Sequence, residues 1–235
     1  MKQTEERMAP NHWLPRTRVR RRDRYLTRLC MNRNVVHLAC AAWPFTTELL
    51  ANGELLHAKL DDVCEKLAGV DICSDGLAIL RQRFGNLHEA DLLCVEQFQS
   101  FVDQLSWTPD IFVAGELIEH LDQPGQLLEN CQRVMPRTAK LAITVPNAFS
   151  AKSFLRVAVG IEKVSADHVA YYSMTNLREL VSRAGFELLD TVWYRAEGNV
   201  HVAERAVDLA MKPCLWACPQ LADGLIVVCR PKVTC

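Results

Sequence analysis

The chain has 235 residues, of which 49% are hydrophobic and 23% are charged, and its formal net charge at pH 7 is −1. This length and composition fit one α/β domain with a modest extension and are sufficient for a full hydrophobic core. Since the net charge is close to zero, the chain as a whole is not expected to attract nucleic acid or anionic lipid.

The cysteines and the absence of apolar runs indicate the cellular setting. The ten cysteines form no regular framework, and several lie in strand-like runs, where reduced cysteine behaves as a small hydrophobe. The sequence shows no secretory leader and no run of about 18 apolar residues that could span a bilayer. We therefore expect a cytoplasmic protein that does not contact the membrane.

The segment 16–33 is strongly basic, because it holds eight arginines and its only acid is Asp23. We interpret 1–33 as a basic N-terminal leader, exposed to solvent, whose stretch 16–30 forms a first helix. The alternative is that this segment holds an anionic substrate or nucleic acid.

Strand-like and helix-like patterns alternate along the rest of the chain. The helical stretch 44–60 is expected to break at Asn52-Gly53, and Ser74 or Asp75 is expected to cap the next helix. The alternation predicts an α/β fold with a seven-stranded, mostly parallel sheet that helices cover on both faces. The predicted strands are 34–39, a run ending at Asp71, a short run leading into 89–91, 110–114, 140–145, 186–194 and 225–229, and the later helices are 123–135 and one that Ser173 or Thr175 caps and Gly185 ends.

Small, acidic or polar residues follow several of these strands, as at 39–41, Asp71, 115–116 and 146–147. In open α/β sheets, ligands bind at the carboxyl ends of the parallel strands. The ordered set therefore predicts a single binding cleft.

Three motifs give the chain a family resemblance. Glu-x-x-Glu-His-Leu occupies 116–121 and precedes Pro124, His-Val-Ala-Tyr-Tyr-Ser begins at His168, and Pro146-Asn147 ends the fifth strand. Taken together and in their order along the chain, the three motifs resemble those of the class I S-adenosylmethionine (SAM)-dependent methyltransferases of type 11 or 23. The resemblance covers about residues 24–194. The resemblance implies a Rossmann-like fold, SAM as the cofactor and S-adenosylhomocysteine (SAH) as the product.

The resemblance also implies a cofactor site at the ends of the first four strands. The Asp71 carboxylate can accept two hydrogen bonds from a ribose diol, although it could instead serve as an acid near a helix N-terminus. Asp91 lies where the family contacts the adenine amino group, and Gly115 would let the backbone approach the cofactor closely. The predicted cofactor-binding residues are His37, Ala39, Cys40, Ala41, Asp71, Ile72, Asp91, Leu92, Gly115 and Glu116.

The loop after the first strand departs from the family pattern Asp/Glu-x-Gly-x-Gly-x-Gly. The aligned residues here are His37, Ala39, Ala41 and Trp43, so the three glycines and the acid are replaced. Alanine resists the positive φ that glycine adopts freely. The departure leaves two possibilities open, a loop of altered shape that still binds SAM or a catalytically silent binding subunit. His37 either faces the methionine end of the cofactor or is a core histidine.

The predicted catalytic residues are His120, His168 and Glu119. Methyl transfer from a sulfonium is an in-line displacement that needs placement of two reactants and, for a hydroxyl acceptor, a base. His120 is the best base by position and by its near-neutral reference pKa. In some relatives, namely the small-RNA 2′-O-methyltransferases and certain ubiquinone-pathway O-methyltransferases, a similar Glu-x-x-Glu-His set and a later histidine hold a divalent metal. We favour the base without a metal and assign no metal site, and a packing role is the third option.

The sequence thus predicts a SAM-dependent methyltransferase that acts on a small molecule or a glycan or natural-product precursor, with oxygen as the favoured target. One domain is expected over 34–235, with 148–172 and 195–222 as substrate-lid insertions. An RNA methyltransferase is a further alternative because of the arginine-rich leader and the Glu-x-x-Glu-His set, although a nucleic-acid partner is not favoured. A homodimer is possible.

Overall fold

The computed structural model describes residues 14–196 and 212–232. The strands are β1 (Arg20–Arg21), β2 (Asn34–Leu38), β3 (Lys66–Asp71), β4 (Leu87–Glu89), β5 (Ile111–Gly115), β6 (Lys140–Pro146), β7 (Phe186–Arg195) and β8 (Gly224–Pro231). The α-helices are α1 (Arg22–Cys30), α2 (Thr46–Ala51), α3 (Leu56–Asp61), α4 (Ser74–Leu80), α5 (Val95–Asp103), α6 (Pro124–Val134), α7 (Ala151–Ala158), α8 (Met174–Arg183) and α9 (Lys212–Ala217). Short 3₁₀ helices cover Ile118–His120 and Pro219–Leu221.

These strands form one sheet in the order β1-β7-β8-β6-β5-β2-β3-β4. All neighbours are parallel except at β8, which runs antiparallel to β6 and β7. β2 lies between β3 and β5, so the chain reverses its direction of travel across the sheet at this point, and a crevice forms at the carboxyl ends there. The predicted α/β fold is confirmed. The seven predicted strands correspond to β2–β8, and β1 is an eighth.

Side chains alternate between the two faces along each central strand, as the pleat requires. In β5, Phe112 and Ala114 pack in the cluster that contains the buried residues of α5 and α6. Ile111 and Val113 point the other way, into a cluster with residues of α1 and α3. The sheet is therefore covered on both faces, and its carboxyl edge is left open for a site.

Two local predictions are wrong. The stretch 16–30 is not one helix, because Arg20 and Arg21 pair with the edge of β7 and the helix begins only at Arg22. A strand edge offers unpaired backbone groups that local helix propensity does not take into account. Neither Ser74 nor Asp75 caps α4, since its N-cap position is Cys73, whose backbone N–H donates to the Asp71 carboxylate.

Other details are confirmed. The predicted break at Asn52-Gly53 separates α2 from α3, and the Ser173 hydroxyl caps α8 by accepting from Asn176. Gly185 follows α8 with φ +85°, the left-handed conformation typical of a helix end. Within the predicted lid 195–222, residues 197–211 lie outside the described part. None of the described helices combines the length and the apolarity needed to cross a bilayer.

Candidate functional site

A cavity of about 730 Å³ opens at the carboxyl ends of β2, β3 and β5. This volume lies in the range of pockets that enclose small ligands. The predicted site residues that line it are His37, Ala39, Cys40, Asp71, Gly115, Glu116, His120 and His168. The remaining predicted residues are Ala41, Ile72, Asp91, Leu92 and Glu119, which are not among the lining residues.

Asp71 ties the end of β3 to the loop that follows β2. Its carboxylate accepts a hydrogen bond from the Ala41 backbone N–H at 2.8 Å and another from the Cys73 backbone N–H at 2.9 Å. A carboxylate has about four lone-pair positions, so two donors leave capacity for ligand hydroxyls. The buried carboxylate is thus held by the backbone on one side and faces the cavity on the other.

The loop after β2 adopts left-handed backbone conformations without glycine. Ala39 has φ +53° and Ala42 has φ +54°. Such a conformation costs an L-residue about 1–2 kcal/mol. The loop is fixed by hydrogen bonds from Cys40 N to the Val70 carbonyl and from the Thr46 hydroxyl to the Ala41 carbonyl. The backbone at Ala39 therefore takes a conformation that usually requires glycine.

His37 pairs with a second buried histidine, where the family pattern has an acid. Its Nδ1 lies 3.2 Å from Nδ1 of His57, and the two rings are stacked with centroids 5.4 Å apart. Burial lowers the pKa of His57 to about 4, and burial together with His57 and Arg22 holds the pKa of His37 well below its ordinary value. Both rings are therefore neutral, and one Nδ1–H donates to the other Nδ1.

Three predicted cofactor residues do not line the cavity. Ile72 is exposed to solvent, whereas Leu92 is buried in the core. The Asp91 carboxylate accepts from the Leu93 backbone N–H at 2.8 Å. Their role in cofactor binding, at the adenine amino group for Asp91, stays a prediction.

Glu116 is held by side chains that lie far away in sequence. Its carboxylate accepts from the Tyr194 hydroxyl at 2.7 Å and from the Thr144 hydroxyl at 2.8 Å. The Arg22 guanidinium lies 3.9 Å from the same carboxylate and lines the cavity. Glu116 takes φ +51° and turns to these partners, so it is not part of the cluster that Glu119 and His120 form with His168.

Glu119, His120 and His168 do come together, with one ligand-type atom from each lying within 4.8 Å of the others. Glu119 is fully buried, and neither carboxylate oxygen has a hydrogen-bond partner among the described residues. Burial, with a contribution from Glu116, raises the pKa of Glu119 to about 8. Nδ1 of His168 is also buried without a partner in the described part of the chain. Buried polar atoms without partners are rare, so this cluster fits a cation.

A carboxylate that the sequence analysis missed orients His120. Nδ1 of His120 lies 2.9 Å from the carboxylate of Asp167, and the His168 ring stands edge-on to His120 at 4.6 Å. An Nδ1–H donated to a carboxylate leaves Nε2 as the acceptor nitrogen. The only signal in the sequence is that Asp167 directly precedes His168. Arg22 was also missed, since it was one arginine among eight.

Comparison with known proteins gives the family. A family model described as a methyltransferase domain matches residues 11–191. The chain belongs to this methyltransferase family. A curated relative, ubiquinone biosynthesis O-methyltransferase of Glaesserella parasuis serovar 5 (strain SH0165), is 25% identical over 118 residues, which are 48% of this chain and 49% of the relative. The chain thus spans about half the length of the curated relative that it matches.

Solved structures share the fold of this methyltransferase family member. The small RNA methyltransferase HEN1 superposes with a TM-score of 0.57 and 18% identity, over 96% of this chain and 27% of HEN1. Magnesium protoporphyrin IX methyltransferase of Synechocystis PCC 6803, solved with bound SAH, gives a TM-score of 0.53 and 11% identity, over 90% and 82% of the two chains. The predicted class I SAM-dependent methyltransferase fold is confirmed, and SAM is the cofactor of this family.

Proposed function

We propose that the protein transfers the methyl group of SAM to a hydroxyl oxygen of a small molecule, such as a glycan or natural-product precursor. One observation carries the proposal: Asp71 and the loop after β2 open onto the same cavity as His120 and His168. A cofactor held at one end and an acceptor held at the other would then meet within it.

Asp71 and Arg22 supply the charges for the cofactor end. The free lone pairs of Asp71 suit the two hydroxyls of a ribose. Arg22 provides a guanidinium for the carboxylate of the methionine moiety, since guanidinium and carboxylate match in shape and charge. Arg22 already donates to Asp23 at 3.0 Å, which fixes the side chain before a ligand binds.

His120 serves the acceptor end. Bound SAM supplies an electrophilic methyl group on a positively charged sulfur. Nε2 of His120 accepts the proton of the acceptor hydroxyl as its oxygen forms the new C–O bond and the C–S bond breaks. Asp167 holds the ring in the required tautomer and stabilises the imidazolium that forms. Positioning of the two reactants supplies much of the rate enhancement.

A divalent cation is the second candidate for activating the acceptor. It is favoured by three buried atoms of Glu119 and His168 that have no hydrogen-bond partner within residues 14–196 and 212–232. Glu119, His120 and His168 would hold the ion, and a carboxylate with two imidazoles suits several first-row metals. A bound cation would lower the pKa of the acceptor hydroxyl, so that His120 is a ligand rather than the base.

Calorimetry with SAM and SAH on ligand-stripped protein tests the cofactor half of this proposal. We expect micromolar binding that is lost in Asp71→Ala and retained in Asp75→Ala, an exposed acid in the first turn of α4. If the folded wild-type protein binds neither compound, the proposed methyltransferase activity is overturned and a catalytically silent binding subunit is favoured.

The acceptor half requires an activity screen with and without a chelator. Retained turnover in chelator, with a large loss in Asp167→Asn, supports His120 as the base. Turnover that requires added metal and is lost in Glu119→Gln supports the cation.

A further inference from the structure

Helix α7 is amphipathic, but it exposes its apolar side to solvent and packs its polar side against the protein. Its apolar side, formed by Phe154, Leu155 and Val157, is exposed, with exposed fractions of 71%, 55% and 61%. Its polar side, with Lys152 and Arg156, is partly buried. A surface helix in water normally turns its apolar stripe toward the core. No described residue covers this apolar side, so α7 is suited to an apolar surrounding.

The apolar surface continues beyond the helix. Six large apolar side chains, each more than half exposed, lie within 149–161, and this segment contains no acid. They are Phe149, Phe154, Leu155, Val157, Val159 and Ile161. Soluble proteins rarely expose clustered apolar side chains on this scale without a partner. We call this segment the apolar ridge.

A second surface, formed by β1 and the residues on either side of it, is strongly basic. Arg16, Arg18, Arg20 and Arg24 are all exposed. Of the acids nearby, Asp23 is buried in ion pairs with Arg22 and Lys59, whereas Asp190 is exposed and accepts a hydrogen bond from the Tyr25 hydroxyl. The surface around β1 therefore carries a concentrated positive charge although the whole chain is almost neutral.

A series of contacts links helix α7 to strand β1. Lys152 of α7 forms an ion pair with Asp223 at 3.2 Å, and the Asp223 carboxylate also accepts from the Ala196 backbone N–H at 3.2 Å. Arg195, next to Ala196, is the ladder partner of Arg21 in β1. The start of α7 is therefore linked through Asp223 and the end of β7 to the end of β1, at the carboxyl edge of the sheet where the cavity opens.

In place of the expectation from the sequence that the protein does not contact the membrane, we infer that this edge docks on the surface of an anionic lipid bilayer. The apolar ridge inserts at the level of the headgroups, and the arginines of β1 and α1 approach the lipid phosphates. An apolar helix face and a basic cluster are the two signals that together give stable, reversible attachment. The acceptor of the proposed methyl transfer would then be presented at the membrane surface, and only this last step rests on the proposed function.

Sedimentation of the full chain with vesicles, without SAM, tests the inference. We expect binding to vesicles of phosphatidylcholine mixed with phosphatidylglycerol, weaker binding to phosphatidylcholine alone, and weakening by salt. Phe154→Asp combined with Leu155→Asp should reduce binding roughly tenfold or more, because two apolar anchors become charged. Arg20→Gln should reduce it about fivefold.

Met31→Asp is the matched control, because Met31 is 52% exposed but lies at the opposite edge, just before β2. Its vesicle binding should match that of the wild type. The melting temperature of the Phe154 and Leu155 variant should also match the wild type without vesicles, whereas a clear decrease would show that another part of the chain covers the ridge and would overturn the inference.

Two other occupants give distinct results. A second copy of the chain on the ridge would make the wild type a dimer that Phe154→Asp dissociates, without vesicle binding. If RNA were the partner, the protein would bind single-stranded RNA oligonucleotides through the arginines. Phe154→Asp would not change that binding, and the protein would not bind vesicles. Either result overturns membrane docking, while SAM binding measured on the same sample reports separately on the proposed function.

Discussion

Gly76 of α4 lies against Ala41 so closely that a Cβ atom on Gly76 would stand 2.7 Å from the Ala41 Cβ. Ala41 in turn donates its backbone N–H to Asp71. Helix α4 therefore supports the loop after β2 through a residue without a side chain. Close packing at this contact positions the cofactor end of the cavity.

Replacing Gly76 by alanine should therefore displace that loop. We expect Gly76→Ala to lower the free energy of unfolding by about 1–3 kcal/mol, because overpacking forces backbone shifts. SAH affinity should fall in the same variant, since the hydrogen bond between Ala41 and Asp71 is disturbed. Urea unfolding and calorimetry measure the two effects.

Gly125→Ala provides the comparison, because Gly125 lies in α6 and a Cβ there would meet no atom within 4 Å. Alanine in a helix is more stable than glycine by about 0.5–1 kcal/mol, so this variant should gain stability and keep its SAH affinity. Equal behaviour of the two variants would show that the Gly76 contact is not tight.

A second prediction concerns the stability of the loop after β2, where Ala39 has a left-handed backbone conformation. Ala39→Gly should raise the free energy of unfolding by about 1 kcal/mol, because glycine relieves the cost of φ +53°. SAH binding should be retained or strengthened, since the backbone conformation is unchanged. Urea unfolding of the variant and the wild type measures the difference.

Ala41→Gly is the matched control at the neighbouring family glycine position. Ala41 is fully buried and has no positive φ, so loss of its methyl group should destabilise the protein. The prediction for Ala39 fails if both variants lose stability to the same extent.

The fold was largely predictable because buried strands and amphipathic helices leave clear periodic patterns. The strands β2–β8 and the caps at Ser173 and Gly185 follow from local residue chemistry. β1 was not predictable, since two arginines become a strand only where the edge of β7 is available. Helix α5 was missed although Phe98 and Phe101 show helical spacing.

The candidate site was predictable in its membership more than in its geometry. Asp71, His120 and His168 follow from motifs, and the structure places all three on one cavity. The orientation of Glu116 was not predictable, because Tyr194 and Thr144 lie far away in sequence and capture its carboxylate. The same holds for the pair of His37 and His57, which only the packing of α3 against the sheet brings together.

The buried histidine pair makes stability depend on pH. The unfolded chain has His57 at an ordinary pKa of 6.5, whereas the folded chain has a pKa of about 4 there. Below pH 6.5 the unfolded state therefore binds more protons, and stability falls as pH decreases toward 4. Between pH 7 and pH 5, His57 should cost about 2 kcal/mol of unfolding free energy.

Urea unfolding at pH 7 and pH 5 measures this loss. His57→Gln keeps a hydrogen-bond partner for His37 but does not titrate, so the loss between the two pH values should shrink by about that amount. His88→Gln is the control, because His88 is only partly buried and should change the slope less. An unchanged slope in His57→Gln would contradict a neutral buried pair.

The buried carboxyl group of Glu119 should lower the free energy of unfolding of the protein. Its carboxyl group is fully buried, and both oxygens lack partners among the described residues. In a chelating buffer, Glu119→Met should raise the free energy of unfolding by about 1–2 kcal/mol, because an unsatisfied polar group is replaced by an apolar one of similar shape. The variant should also lose any binding of a divalent cation to the cluster.

Glu129→Met is the reference for Glu119, because Glu129 is exposed on α6 and its replacement should change the unfolding free energy by less than about 0.5 kcal/mol. Urea unfolding in chelator and calorimetric titration with a divalent metal give the two readouts. A loss of stability in Glu119→Met would show that the carboxyl group is satisfied in the folded protein. It would then be a structural residue, and the acceptor end would depend on His120 and Asp167 alone.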